Sequence, residues 1–141
     1  MLRRHAVKTY LCAAAFVVVT AASAGCAGDN TSRCESVPRW IVSGINESLN
    51  SGVSVRGLQA VRSSAFDKGW LISGDLEGPG LQGTDDYATW ASNGVDSSNG
   101  TIQSADSVAE QSSAFAPVPY GFAVGLDGYD ESHDCVRAQV G

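Results

Sequence analysis

The chain has 141 residues, with 9 basic and 15 acidic side chains and a formal net charge of −6. Its first 25 residues hold three of the basic side chains and none of the acidic ones, so the remainder carries 15 acidic against 6 basic groups, a net −9. Such a polyanionic chain repels phosphate backbones, which disfavours nucleic acid as a partner. The part of the chain from position 26 onward is long enough for one domain with one apolar core.

The first 25 residues predict a secretory signal peptide. Arg3, Arg4 and Lys8 give a positive start, residues 11–19 are apolar, and small residues occupy 21–25. The apolar core is too short to cross a bilayer, because a membrane-spanning helix needs about 20 apolar residues. We therefore expect this segment to direct export, and the rest of the chain to work outside the cytosol.

Two cleavage sites fit the small residues that end the signal. Residues 22–24 (Ala-Ser-Ala) satisfy the small-x-small rule, and cleavage after them would release a soluble protein beginning at Gly25. Residues 23–26 (Ser-Ala-Gly-Cys) instead resemble a bacterial lipobox, in which Cys26 is lipidated and becomes the new N-terminus.

The cysteine count favours the lipobox. Three cysteines follow the signal, Cys26, Cys34 and Cys135, and an exported protein seldom leaves a spare thiol. If Cys26 carries lipid, Cys34 and Cys135 remain as one disulfide pair in an oxidising compartment. Cleavage after Ala24 would leave one cysteine free or intermolecular. We expect an extracytoplasmic protein held at the cell membrane by the Cys26 lipid alone, with soluble secretion as the alternative.

Residues 26–35 are polar and predict a short tether, followed by a single domain over 36–141. A helix is predicted over 36–49, with Ser36 as its cap. Its apolar stripe follows helical spacing and comprises Val37, Trp40, Ile41, Ile45 and Leu49.

Four antiparallel strands are predicted next, over residues 53–63, 70–76, 87–92 and 101–105. The second strand alternates, with Trp70, Ile72, Gly74 and Leu76 sharing one face.

Two short helices are predicted to end the domain. Ser107 and Glu110 form a capping box for a helix that extends to about residue 115, and a last helix covers 130–139. The predicted fold is α+β: an N-terminal helix, a four-stranded antiparallel meander sheet, and two short C-terminal helices packed on one face of the sheet.

The motifs that could indicate a cofactor or metal site lack the sequence context that such a site requires. Residues 78–83 match G-x-G-x-x-G, but the acids that follow would repel a phosphate, so a glycine-rich turn is favoured. The acidic run 127–134 lacks the spacing of a calcium loop. One histidine and two cysteines that are expected to be bridged cannot supply a zinc site. No cofactor and no metal are predicted.

No catalytic residues are predicted either, which favours a protein that is not an enzyme. His133 is the only histidine after the signal, and we expect it to be a solvated helix residue. The three tryptophans after the signal, Trp40, Trp70 and Trp90, are expected to belong to the core rather than to a sugar or peptide site.

A series of short motifs resembles small exported lipoproteins of actinobacteria and their phages. It consists of residues 59–63 (Gln-Ala-Val-Arg-Ser), 67–68 (Asp-Lys), 88–91 (Ala-Thr-Trp-Ala) and 131–136 (Glu-Ser-His-Asp-Cys-Val). The resemblance covers most of the chain after the signal. It implies lipoprotein export and a Cys34–Cys135 pair, and it implies no activity.

The sequence therefore predicts a lipid-anchored, non-enzymatic surface module that binds an unknown protein or small molecule. The alternative is a soluble secreted protein, either an inhibitor or a small hydrolase that uses carboxylates.

Overall fold

The computed structural model describes residues 30–66, 69–81, 86–95 and 98–141. The predicted signal and Cys26 lie outside these residues. In chain order the elements are β1 (Glu35–Ser36), α1 (Arg39–Ser48), β2 (Ser54–Ser63), β3 (Gly69–Glu77), β4 (Tyr87–Ser92), β5 (Ile102–Ser104), α2 (Ser107–Ser112) and α3 (Tyr129–Val140).

The strands form one antiparallel sheet in the order β1-β2-β3-β4-β5. This confirms the α+β class, and β2 to β5 lie at the positions predicted for four strands. The fifth strand, β1, pairs Glu35 with Ala60 and Ser36 with Gln59 of β2. Two residues are too few to show the alternation by which a strand is recognised in a sequence.

The presence of β1 also moves the start of the first helix. Ser36, the predicted cap, is extended because it pairs with β2, and α1 begins only after Pro38 (φ −60°, ψ 148°). The cap of α2 is displaced as well. Asp106, rather than Ser107, caps this helix, since its Oδ1 accepts from the Ala109 N–H at 2.8 Å.

One face of the sheet is closed by α1 and α2 over an apolar core. The buried core residues on this side are Ile41, Ile45, Ala60, Trp70, Ile72, Leu76, Ala88, Trp90 and Ala109. Trp70 and Trp90 are buried and Trp40 packs at the edge, so the interpretation of the tryptophans as core residues is confirmed.

The other face is covered by α3 and by the segment that precedes it. Leu71, Ala105, Ala123 and Tyr129 form a smaller apolar cluster there. The two C-terminal helices therefore lie on opposite faces rather than on one.

The reason is the connection between α2 and α3, which passes around the β5 edge of the sheet. The Ser104 N–H donates to the Ala116 carbonyl (2.9 Å), the Val118 N–H to the Ser104 carbonyl (2.9 Å), and the Ala123 N–H to the Ala105 carbonyl (2.7 Å).

Cys34 and Cys135 form a disulfide, with their Cα atoms 5.7 Å apart and 101 positions apart in the chain. It joins the residue before β1 to the middle of α3. The pairing predicted from the cysteine count is confirmed.

Candidate functional site

The residues with chemical potential lie on the α3 side of the sheet, in a buried polar network. Ser73 Oγ lies 2.8 Å from Thr89 Oγ1 and 2.6 Å from Ser132 Oγ. Thr89 Oγ1 in turn lies 2.8 Å from His133 Nε2, and Ser132 Oγ donates to the Tyr129 carbonyl at 2.7 Å. The network therefore runs from two neighbouring strands to the first two turns of α3.

The donors in this network can be assigned because each hydroxyl has a single hydrogen. Ser132 uses its hydrogen on the Tyr129 carbonyl, so Ser73 must donate to Ser132. When Thr89 donates to Ser73, the remaining contact needs a proton on His133 Nε2. All four hydrogen bonds exist together only with the Nε2–H tautomer of the imidazole.

His133 is not the solvated residue that its sequence context predicts. Its ring stacks at a tilt against Tyr87 and Tyr129, with centroids 5.3 and 4.6 Å away. Burial lowers the pKa of this imidazole, and the carboxylates of Asp106 and Asp130 oppose that shift without cancelling it. The ring is therefore held neutral over a wider pH range than a solvated histidine.

Tyr129 links the network to a buried carboxylate. Its hydroxyl donates to Asp106 Oδ2 at 3.1 Å, and the other oxygen of Asp106 caps α2. Burial raises the pKa of the Tyr129 phenol, with the negative charge of Asp106 adding to the effect. The phenol therefore keeps its proton at neutral pH and remains a donor to Asp106.

The burial of this network favours a structural role over a catalytic one. Ser73, Thr89 and Ser132 are all fully buried, so none of their oxygens meets a substrate. A nucleophile must reach the reacting atom and have a base within hydrogen-bond distance. Here the Nε2 atom of His133 lies against the buried hydroxyl of Thr89, and the hydrogen bonds fix α3 on the sheet.

The second cluster is charged, and it joins residues 30–33 to the start of α3. The Arg33 guanidinium donates to Asp127 Oδ1 at 3.0 Å and to Glu131 Oε2 at 2.6 Å. Asp127 also accepts from the N–H (2.8 Å) and hydroxyl (2.9 Å) of Ser64. Arg33 and these Ser64 donors lower the pKa of the Asp127 carboxyl to about 2. The buried Glu131 carboxylate is thereby paired with Arg33.

Three of the acidic side chains in the run 127–134 form ion pairs. Asp127 and Glu131 share Arg33, and Asp134 pairs with Arg137. Among the described residues, no group of three or more His, Cys, Asp or Glu side chains is placed to hold a metal ion. Of the glycine-rich motif at 78–83, residues 78–81 form a turn and 82–83 lie outside the described residues.

The third feature is a pair of exposed apolar turns, residues 120–122 (Tyr-Gly-Phe) and 124–126 (Val-Gly-Leu). They hold the exposed large apolar side chains of the described part of the chain: Tyr120 (95% exposed), Phe122 (41%), Val124 (62%) and Leu126 (41%). Gly121 (φ 91°) and Gly125 (φ 79°) sit at the centre of each turn, in the left-handed conformation that favours glycine. We call these residues the apolar turns.

The apolar turns are held in place from within. Ala123, between them, is buried and its N–H donates to the Ala105 carbonyl beyond β5. The Leu126 N–H donates back to the Ala123 carbonyl (2.9 Å), and the Tyr129 N–H to the Leu126 carbonyl (3.1 Å). The exposed side chains therefore project from a backbone that is fixed to the sheet.

A shallow groove of about 150 Å³ lies beside the first turn. Its walls come from Phe66, Ala91, Val118 and Tyr120, with Asn93 and Gln103 as polar neighbours. The groove, the apolar turns and the Arg33 cluster all lie at the end of the sheet where β2 ends and β3 begins.

Sequence reasoning found the disulfide but missed the network and the apolar turns. The two apolar-Gly-apolar triplets after Pro119 were the signal for the turns, because glycine between large apolar residues breaks both helical and strand periods. The network gave no signal, because serine and threonine are usually exposed and nothing in their spacing distinguishes buried ones.

None of the helices in the described residues is long and apolar enough to cross a membrane. Comparison of the chain with protein-family models, with curated proteins and with solved structures gives no match.

Proposed function

We propose that the protein is a lipid-anchored, extracytoplasmic and non-enzymatic module, attached to the cell membrane through Cys26. The observation that carries this proposal is the disulfide between Cys34 and Cys135. Because these two cysteines bond to each other, neither is available to Cys26, and lipidation gives the third cysteine of the exported chain a role. The resemblance of its motif series to small exported lipoproteins of actinobacteria and their phages implies the same anchor.

The burial of the polar network supports a role that is not enzymatic. Its hydroxyls are inaccessible, and the carboxylates of Asp127 and Glu131 in the charged cluster are both paired with Arg33. A carboxylate hydrolase needs a general acid whose pKa is raised, and Asp127, whose pKa is lowered, does not suit that role.

The groove supports a macromolecular partner over a small molecule. Small-molecule sites usually enclose about 300–1,000 Å³, and this groove holds about 150 Å³. That is room for one side chain of a partner rather than for a whole ligand. Binding would then depend on the exposed surface of the domain more than on a pocket.

Membrane partition of the full chain, expressed with its signal in a bacterium, tests the anchor. The wild type and a Cys12→Ser control should both be found in the membrane fraction, because each keeps Cys26. Cys26→Ser should be released, and its intact mass should lack the lipid carried by the wild type.

Equal membrane partition of Cys26→Ser and wild type would contradict the lipid anchor. A wild-type mature chain that begins at Gly25 without lipid would establish the soluble secreted alternative instead.

A further inference from the structure

We propose that the apolar turns contact the same membrane that holds the Cys26 lipid, so that the domain has two membrane contacts and a fixed orientation. The first contact is the lipid, and the second is the set of apolar side chains at 120, 122, 124 and 126. This inference rests on the proposed function, and it names the bilayer surface as the partner of the exposed apolar surface.

The first step is where the chain leaves the domain. Residues 30–33 lie along the first half of α3: Arg33 pairs with Asp127 and Glu131 at its start, and the Asn30 N–H donates to Asp134 near its middle (3.3 Å). Four peptide units separate Asn30 from Cys26. An extended chain covers at most about 3.3–3.6 Å per residue, so the lipidated residue lies within about 14 Å of Asn30.

The second step is the position of the apolar turns relative to this exit. Leu126 is bonded directly to Asp127, which pairs with Arg33 at 3.0 Å. The turns therefore begin beside the residues that tie the exit to α3. A lipid at Cys26, within about 14 Å of Asn30, would lie close enough for the bilayer surface to reach the exposed apolar side chains at this end of the domain.

The side chains of the apolar turns are also of the kinds that enter a lipid surface. Residues 114–126 carry no charged side chain, and the nearest carboxylate, Asp127, is paired with Arg33. Tyrosine prefers the interface between lipid and water, and apolar side chains on a surface segment enter a membrane to about 5–10 Å. The apolar turns present a tyrosine, a phenylalanine and two aliphatic side chains from a fixed backbone, so little conformational entropy is lost on insertion.

The net negative charge of the domain limits which membranes suit this contact. The exported chain carries −9, and Asp130 lies exposed in the first turn of α3. We therefore expect the turns to insert into zwitterionic lipid and to be pushed outward by anionic lipid at low salt.

Lipid-quenching measurements on the lipidated mature protein test the contact. Tyr120→Trp places a reporter in the first turn, and Tyr120 is exposed enough that the change should not disturb the core. Ser51→Trp is the matched control, because Ser51 is exposed and its neighbour Gly52 lies near Gly78, at the opposite end of the sheet. Both are reconstituted in vesicles of phosphatidylcholine brominated on its acyl chains.

The reporter at 120 should lose about half or more of its emission above that of the unsubstituted protein, as expected for a side chain 5–10 Å inside the interface. The reporter at 51 should lose none. If vesicle flotation shows the protein anchored but the reporter at 120 is unquenched, the inference is overturned while the lipid anchor stands. The apolar turns would then be assigned to contact with a protein partner instead of the membrane.

A second measurement does not depend on the anchor. In the mature chain with Cys26→Ser, the apolar turns are the remaining membrane contact, and adding Tyr120→Ser should weaken binding to phosphatidylcholine vesicles by roughly tenfold. Equal binding of the two chains would overturn the inference. If wild-type protein does not float but these two chains differ as expected, the lipid anchor fails and the membrane contact of the turns survives.

Discussion

The helices on the two faces of the sheet are held by different interactions. On the α1 face, buried side chains such as Ile41, Ile45 and Trp90 pack against one another, and apolar surface removed from water stabilises the contact. On the α3 face, serine, threonine and histidine side chains form hydrogen bonds, and a disulfide and ion pairs hold the helix. Neighbouring residues of one strand, Ile72 and Ser73, are both fully buried and belong to different faces.

The difference teaches that α3 depends on specific partners, whereas α1 depends on apolar area. An apolar contact tolerates small shifts. A buried hydroxyl that is left without its partner, by contrast, incurs the full free-energy cost of its dehydration. The stability of the α3 face should therefore respond more strongly to redox state and pH than that of the α1 face.

The largest effect is expected from the disulfide on the α3 face. Replacing both cysteines, Cys34→Ser with Cys135→Ser, should lower the free energy of unfolding by about 4–5 kcal/mol, because the bond closes a loop of 101 positions in the unfolded chain. Urea unfolding without reductant measures it. Reductant should bring the wild type to the midpoint of the variant and leave the variant unchanged; a variant as stable as the oxidised wild type would show that the bond is dispensable.

The next effect compares the two faces within β3. Ile72→Ala should cost about 2–5 kcal/mol, since it opens a cavity in the apolar core. Ser73→Ala should cost about 1–3 kcal/mol, because it removes the buried hydrogen bonds that Ser73 makes with Thr89 and Ser132. Urea unfolding of both variants at one pH provides the comparison.

A double variant separates hydrogen bonding from packing in that comparison. Ser73→Ala with Ser132→Ala should cost less than the sum of the two single changes, because both partners of one bond are removed together. Strictly additive losses of unfolding free energy would mean that the hydrogen bond between Ser73 and Ser132 contributes no coupling energy. The effects of substitutions on the two faces would then differ only in magnitude.

The contrast between the faces also decides what the sequence could predict. The apolar face follows periodicity, so the strand pattern of Trp70, Ile72 and Leu76 and the stripe of Ile41 and Ile45 led to the right elements. These positions are recognisable because large apolar side chains that recur at a fixed period indicate one buried face of a helix or strand.

On the α3 face, only the Cys34–Cys135 disulfide could be predicted, because it follows from counting the cysteines. The burial of Ser132 and His133 depends on Ser73 and Thr89, which lie more than 40 positions away in sequence. Such long-range pairing has no local signature. The side of the sheet that α3 occupies was missed for the same reason, since it is set by how residues 113–128 pass around β5.

A smaller effect concerns pH, and its direction follows from His133. Burial lowers the pKa of this imidazole in the folded protein relative to its ordinary value of 6.5, so the unfolded chain binds the proton more readily. The resulting stability is present above about pH 6.5 and is lost as pH falls below that value toward the lowered pKa. Asp127, whose pKa is lowered from 3.8 to about 2, loses its contribution only below about pH 4.

Urea unfolding at pH 7.5 and 5.5 measures the histidine effect apart from the aspartate. The fall in stability between these pH values should be smaller for His133→Gln than for the wild type, because glutamine keeps a donor toward Thr89 but does not titrate. An equal fall in both proteins would assign the pH dependence to other groups.

The smallest effect leaves stability unchanged and concerns the position of one proton. The four hydrogen bonds of the network require His133 to carry its hydrogen on Nε2, donating to Thr89. Long-range proton–nitrogen NMR spectra at pH 7.5 should show this tautomer alone, and Thr89→Val should remove the preference. With the hydrogen on the other ring nitrogen, Nε2 would accept from Thr89, and three hydroxyl hydrogens would have to serve four contacts. One of the four hydrogen bonds would then be lost.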